Sequence, residues 1–97
     1  MRIKNWRKFQ HYNHRKPPWI RFYRDLLDDR EWFALSGDAS KLLANCWLLA
    51  SEDDGNLPEP QDIAFRLRMD VKTVKTLLCQ LSQWVDGYAS AVLAWRA

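Results

Sequence analysis

The sequence predicts a mainly α-helical domain with a small β-sheet, of the winged helix-turn-helix class, in which all 97 residues form one domain. Two short amphipathic patterns, over residues 60–68 and 71–84, are joined by "RMD", which is helix-turn-helix spacing. The extended "NLP" precedes this pair, and "WVDGY", with an Asp-Gly turn signal, follows it. Six Trp, four Phe and three Tyr supply enough apolar area for a single modest core. We therefore expect a helix-turn-helix over residues 60–84 and a short wing over residues 84–93.

The N-terminal segment, residues 1–18, is basic and aromatic, and we expect it to be extended with a short strand. "HRKPP" then breaks the chain, because proline removes a backbone donor and favours an extended entry. A helix is predicted over "WIRFYRDLLDD", since its apolar residues recur at helical spacing on one stripe. That stripe consists of Trp19, Phe22, Tyr23, Leu26 and Leu27. We expect these rings, with Trp6 and Phe9, to lie in the core; the alternative is that they stack on the bases of single-stranded nucleic acid.

Capping residues and periodicity predict the remaining helices. "REWFALSG" is expected to form a short helix that ends at Gly37, and Ser36 or Asp38 can cap the next one. That helix, over "ASKLLANCWLLASED", has a buried side made of Leu42, Leu43, Cys46, Trp47 and Leu49 or Ala50. After the "DDGN" turn, Pro60 suits the first turn of a helix and Asp70 suits the N-cap of the last one. The apolar side of that last helix is Val71, Val74, Leu77, Leu78, Leu81 and Trp84 or Val85.

Charge is distributed unevenly along the chain. Residues 1–24 hold eight Lys or Arg and no acid, residues 25–62 carry a net charge of −8, and residues 63–97 carry +3. A chain polarised in this way can fold into a domain with one cationic side, and such a side attracts polyanions.

The polar side of the last helix is the candidate recognition surface. A helix in this position of a winged helix enters the major groove, where Lys suits phosphate or guanine, Thr suits phosphate or a thymine methyl, and Gln suits adenine. The candidate base-reading residues, all predicted to be exposed, are Lys72, Thr73, Lys75, Thr76 and Gln80. The candidate phosphate contacts in the N-terminal part are Arg7, Lys8, Arg15, Lys16 and Arg21. Duplex DNA binding is the leading hypothesis; a protein-docking surface and an inert solvated face are the alternatives.

Other functional classes have little support in the sequence. His11 and His14 with Cys46 and Cys79 are too scattered to predict a zinc site, so we expect two free thiols and no metal or other cofactor. The glycines are isolated, and no nucleophile has a base beside it, so we expect no enzymatic activity. No apolar run approaches the ~20 residues of a membrane span, and the unpaired cysteines favour a cytoplasmic location.

Two long strings also resemble a known family. "IKNWRKFQHYNHRKPPWIRFYRDLLDD" and "LLASEDDGNLPEPQDIAFRLRMD" resemble the N-terminal domain of bacteriophage and prophage replication initiators of the replisome-organiser type. The resemblance implies a winged-helix domain that binds origin DNA in a bacterial host. It also implies a C-terminal region that contacts the helicase-loading machinery, and such a region is not expected within these 97 residues. A phage transcriptional repressor and a protein-interaction module without DNA affinity remain the alternatives.

Overall fold

The computed structural model describes residues 1–10 and 17–87, which form a mainly helical domain with a small antiparallel sheet. The order of elements is β1 (Arg2–Ile3), α1 (Trp6–Phe9), a 3-10 helix (Arg24–Asp28), α2 (Arg30–Ala34), α3 (Gly37–Ala50), α4 (Pro60–Leu67), α5 (Val71–Leu78), a 3-10 turn (Cys79–Leu81) and β2 (Val85–Asp86). No helix in these two described ranges is long and apolar enough to cross a membrane.

The sheet is built around the N-terminal strand. β1 pairs antiparallel with β2, in the register Ile3 with Val85, and Arg2 also bridges to Asn56 on its other side. The backbone N–H of Ile3 donates to the carbonyl of Gly55 at 2.9 Å. The small sheet is thus present, and "WVDGY" supplies one of its two strands, but the other strand is β1 and "NLP" contributes only the isolated bridge at Asn56. The remainder of the predicted wing, residues 88–93, lies outside the described residues.

Helix α3 is the centre of the core, as its periodicity predicts. The Ser36 hydroxyl accepts a hydrogen bond from the N–H of Ala39 at 3.2 Å, so Ser36 is the N-cap. Gly37 begins this helix instead of ending the previous one, which stops at Ala34. The core cluster combines the buried side of α3 with residues of α1, α4, α5, the 3-10 turn after α5, both strands and the segment before α4. Its members are Ile3, Trp6, Ala39, Leu42, Leu43, Cys46, Leu49, Ala50, Leu57, Ile63, Ala64, Val74, Leu77, Leu78, Leu81 and Val85.

The helix predicted over residues 19–29 is wrong, and so is the burial predicted for its three rings and for Phe9. Residues 17–23 have no helical structure, and only a 3-10 helix follows. Trp19 is 52% exposed and Phe22 is 57% exposed, whereas Trp6 is buried as expected. Because the aliphatic side chains of α3, α4 and α5 fill the core, these rings remain at the surface.

A long-range hydrogen-bond pair explains why this segment is extended. The Gln10 side chain donates from Nε2 to the carbonyl of Arg21 at 2.6 Å and accepts from the Arg21 N–H at 2.7 Å. Both backbone groups of Arg21 are therefore engaged by a side chain, as a neighbouring β-strand would engage them, and are not available for a helical ladder.

Candidate nucleic-acid interface

Two capping interactions define where α4 ends and where α5 begins. Arg68 takes a left-handed conformation, with φ of 57°, and Met69 N–H donates to the Ala64 carbonyl at 2.9 Å, which ends α4 and turns the chain. Asp70 then caps α5, since its Oδ2 accepts from the N–H of Thr73 at 3.2 Å. Pro60 occupies the first turn of α4, so both predicted start signals of the pair are confirmed.

Four of the five predicted base-reading residues share one exposed side. At about 100° of rotation per residue, Lys72, Thr73 and Thr76 fall within a single arc of roughly 100° on α5. All three are exposed, and Gln80 follows on the 3-10 turn and is also exposed. The Gln80 Oε1 lies 3.5 Å from the Ser36 hydroxyl, at the limit of a hydrogen bond, so α5 presents its polar side beside the start of α3.

Lys75 is the exception, and the prediction that it is exposed is wrong. Its side chain is only 8% exposed, which places it among the buried residues of α5. The cause is that α5 packs against both α3 and α4. These two contacts together bury a wider part of the helix surface than the apolar stripe alone. The long aliphatic stem of lysine tolerates such a position. Lys75 therefore contributes to packing, and the exposed side of α5 carries one cation, Lys72.

The N-terminal candidates belong to a second surface. Arg7 on α1 is exposed and pairs with Asp54 Oδ2 at 2.9 Å, which offsets part of its charge. Lys8 Nζ lies 5.4 Å from the centroid of the Phe9 ring, within cation–π distance. Arg21 is exposed, and its backbone is held by Gln10. Arg15 and Lys16 fall outside the described residues, and their phosphate contacts stay a prediction.

Arg21 also lines an aromatic cleft that the sequence did not predict. It has a volume of about 350 Å³. We define the aromatic cleft by its ring-bearing lining residues, which are Trp6, Phe9, Tyr23, Trp47 and Trp84. The only sequence signal for it is the alternation of rings and cations over residues 5–24, which is equally typical of a buried stripe.

The two cysteines occupy different environments and are free thiols. Burial raises the pKa of the Cys46 thiol from 9.0 to about 12, because the thiolate would lose its hydration in the core. Cys79 is exposed at the end of α5. Within residues 1–10 and 17–87, no three His, Cys, Asp or Glu side chains come together as a metal site would require. His11 and His14 fall outside these ranges.

Comparison of the chain with protein-family models, with curated proteins and with solved structures finds no match. The resemblance to replication initiators therefore stays a prediction that rests on the two quoted strings.

Proposed function

We propose that this chain is a winged helix-turn-helix domain that binds double-stranded DNA through α5. The observation that carries the proposal is the joint exposure of Lys72, Thr73 and Thr76 on one side of a capped helix whose other side is buried. A helix of this kind fits the major groove, and its N-terminal half meets the base edges.

The chemistry of this side favours nucleic acid over an inert surface. Lys72 is a point charge suited to phosphate, and the two threonines have hydroxyl and methyl groups that can contact phosphate or thymine. Thr76 donates its hydroxyl to the carbonyl of Lys72 at 2.9 Å. This bond fixes the Thr76 rotamer, so the methyl is the group left to meet a base. Asp70 accepts from the N–H of Thr73, so this amide of the first turn of α5 is already hydrogen-bonded.

The small antiparallel sheet is compatible with a winged helix. β2 follows α5 after a 3-10 turn and pairs with β1, and Gly87 after β2 has a φ of +80°, a conformation suited to a tight turn. A strand that returns after this turn would complete a wing.

The biological role, initiation of phage-type replication at an origin, rests on the resemblance of residues 3–29 and 48–70 to replication initiators. On the same basis, we propose a bacterial cytoplasmic location and helicase-loading proteins as partners of a further region.

Selection of bound sequences from random duplex DNA will test this proposal. The selected duplex and a scrambled one are then compared by fluorescence anisotropy at about 0.15 M salt. Lys72→Ala should weaken both duplexes alike and reduce the slope of log K against log salt by ~0.9, since one phosphate contact is lost. Thr76→Ala should instead reduce discrimination between the duplexes, because it removes the methyl that meets a base, by up to ~1 kcal/mol, the low end for a base contact.

Lys41→Ala is the matched control, because Lys41 is an exposed lysine on α3 that the proposal does not place at the DNA. It should leave both the affinity and the salt slope unchanged. A random library from which no sequence is enriched, or a Lys41→Ala loss equal to that of Lys72→Ala, would contradict duplex recognition by α5. A dimer in solution that binds a two-fold repeat would favour the repressor alternative.

A further inference from the structure

Only part of the aromatic cleft belongs to the hydrophobic core: Trp6 is a core residue, and Trp47 and Trp84 pack against the core. The largest fully buried side chains are aliphatic or small and come from α3, α4, α5 and the segments beside them. Phe9, in contrast, is 41% exposed and Tyr23 is partly exposed, although both line the cleft. Exposing large aromatic rings to water costs free energy, and a bound ligand would remove that cost by covering them. The cleft is therefore a candidate binding site.

The rings are held in place by specific contacts. The Tyr23 hydroxyl donates to the backbone carbonyl of Phe9, and the two rings meet edge to face with centroids 5.4 Å apart. On the other wall, Trp47 stacks on Trp32 with centroids 5.8 Å apart and an angle of 12° between the ring planes. The Phe22 ring packs edge-on against Trp47, with the two ring centroids 5.6 Å apart. A pre-organised site of this kind loses little conformational entropy when a ligand binds.

Charge indicates the class of ligand. Lys4 and Arg21 line the cleft, and Lys4 also lies 3.8 Å from Asp86 Oδ1. Lys8 is not part of the lining, but its Nζ lies over the ring of Phe9, which is. Asp25 and Asp29 also line it, and Asp29 Oδ1 accepts the N–H groups of Glu31 and Trp32. Cations beside aromatic faces suit a phosphate chain that carries flat bases, and a carboxylate inside the cleft can accept a hydrogen bond from a base amino group.

We propose that the aromatic cleft binds an unpaired base of a single-stranded nucleic acid, with the adjacent phosphates on Lys8 and Arg21. A cavity of about 350 Å³ accommodates one base with its sugar, and the surrounding rings supply stacking faces. This site lies apart from the exposed side of α5 and adds a second nucleic-acid activity. It does not depend on duplex binding.

The test compares strands with and without bases. Anisotropy is measured for a labelled deoxycytidine strand of roughly 12 nucleotides and for an abasic strand of the same length. Stacking of one base is worth ~1–3 kcal/mol, so wild-type protein should prefer the strand with bases by at least about fivefold. A cytidine ribonucleotide strand of equal length shows whether DNA or RNA is preferred. We expect both the DNA strand and the RNA strand to bind more tightly than strands without bases.

Phe9→Leu separates stacking from packing, because leucine retains apolar bulk but has no aromatic face. We expect it to weaken binding of the deoxycytidine strand by about fivefold and to leave abasic binding unchanged. Phe9→Tyr should retain wild-type affinity. Lys8→Ala should weaken both strands equally, because it removes a phosphate contact. Phe65→Ala is the matched control: this ring is 86% exposed on α4, outside the cleft, and its loss should change neither affinity.

Equal wild-type affinity for the abasic and base-containing strands would overturn the proposal, and this comparison needs no variant. A Phe9→Leu protein that binds deoxycytidine as tightly as wild type would also overturn it. Either result would leave duplex binding by α5 untouched, since Lys72 and Thr76 variants test that function separately.

Discussion

Gly55→Ala should destabilise the domain strongly, because Gly55 is where the turn after α3 meets the N-terminal segment. Gly55 has a φ of +94°, a conformation that residues with a Cβ rarely adopt. An added Cβ would lie 2.6 Å from Cγ and 2.7 Å from Cβ of Trp6. Trp6 is buried, and these are the atoms nearest its backbone, so the ring cannot turn away to relieve the overlap.

Two penalties add at this position. The left-handed conformation costs roughly 1–2 kcal/mol for a residue with a Cβ, and overpacking a filled site costs about 1–3 kcal/mol more. The free energy of unfolding should therefore fall by about 2–5 kcal/mol, which is a large part of the ~5–15 kcal/mol typical of a domain. The Gly55 carbonyl also accepts from Ile3 N–H, so displacement of this turn should loosen β1 as well.

Urea unfolding followed by tryptophan fluorescence measures this change, and Gly37→Ala is the matched control. Gly37 begins α3 and an added Cβ there would meet nothing within 4 Å. Gly37→Ala should be neutral or should stabilise the domain by up to ~1 kcal/mol, because alanine loses less chain entropy on folding. If Gly55→Ala unfolds within about 0.5 kcal/mol of wild type, the packing of Trp6 on this turn is refuted.

Three further predictions contrast buried groups with exposed ones. Lys72→Met should weaken duplex binding, whereas Lys75→Met should leave it near wild type, because only the first side chain is exposed; equal losses in anisotropy titrations would show that Lys75 reaches DNA. A thiol reagent should modify Cys79 alone in the native protein and both cysteines after unfolding. Mass spectrometry measures the number of modified thiols. Because the Cys46 pKa is raised from 9.0 to about 12, its contribution to folding stability is retained below pH 9 and falls as the pH rises from 9 through 12. Cys46→Ala should flatten that fall in urea unfolding, and an unchanged slope would contradict it.

Local signals in the sequence predicted the helical part of the fold. Ser36 and Asp70 cap the helices expected of them, and Pro60 starts α4, because capping depends on groups within one turn of the chain. The apolar spacing of α3 also identified its buried side, with Leu42 and Cys46 in the core.

Contacts between distant residues account for what the sequence did not predict. Gln10 holds Arg21 in an extended conformation, so the apolar spacing after the prolines does not produce a helix. β1 lies between two segments more than fifty residues away, which periodicity cannot reveal. Lys75 is buried because two helices cover α5, and a single helical pattern does not show how wide that contact is.

Backbone amide NMR spectra of the labelled protein, recorded during titration with its selected duplex, will test whether α5 is the DNA-contacting helix. We predict that the largest chemical-shift changes occur at Lys72, Thr73 and Thr76, with little change at Lys41 on α3. A duplex that shifts the amides around Phe9 and Tyr23 and leaves those of α5 in place would contradict duplex recognition by this helix.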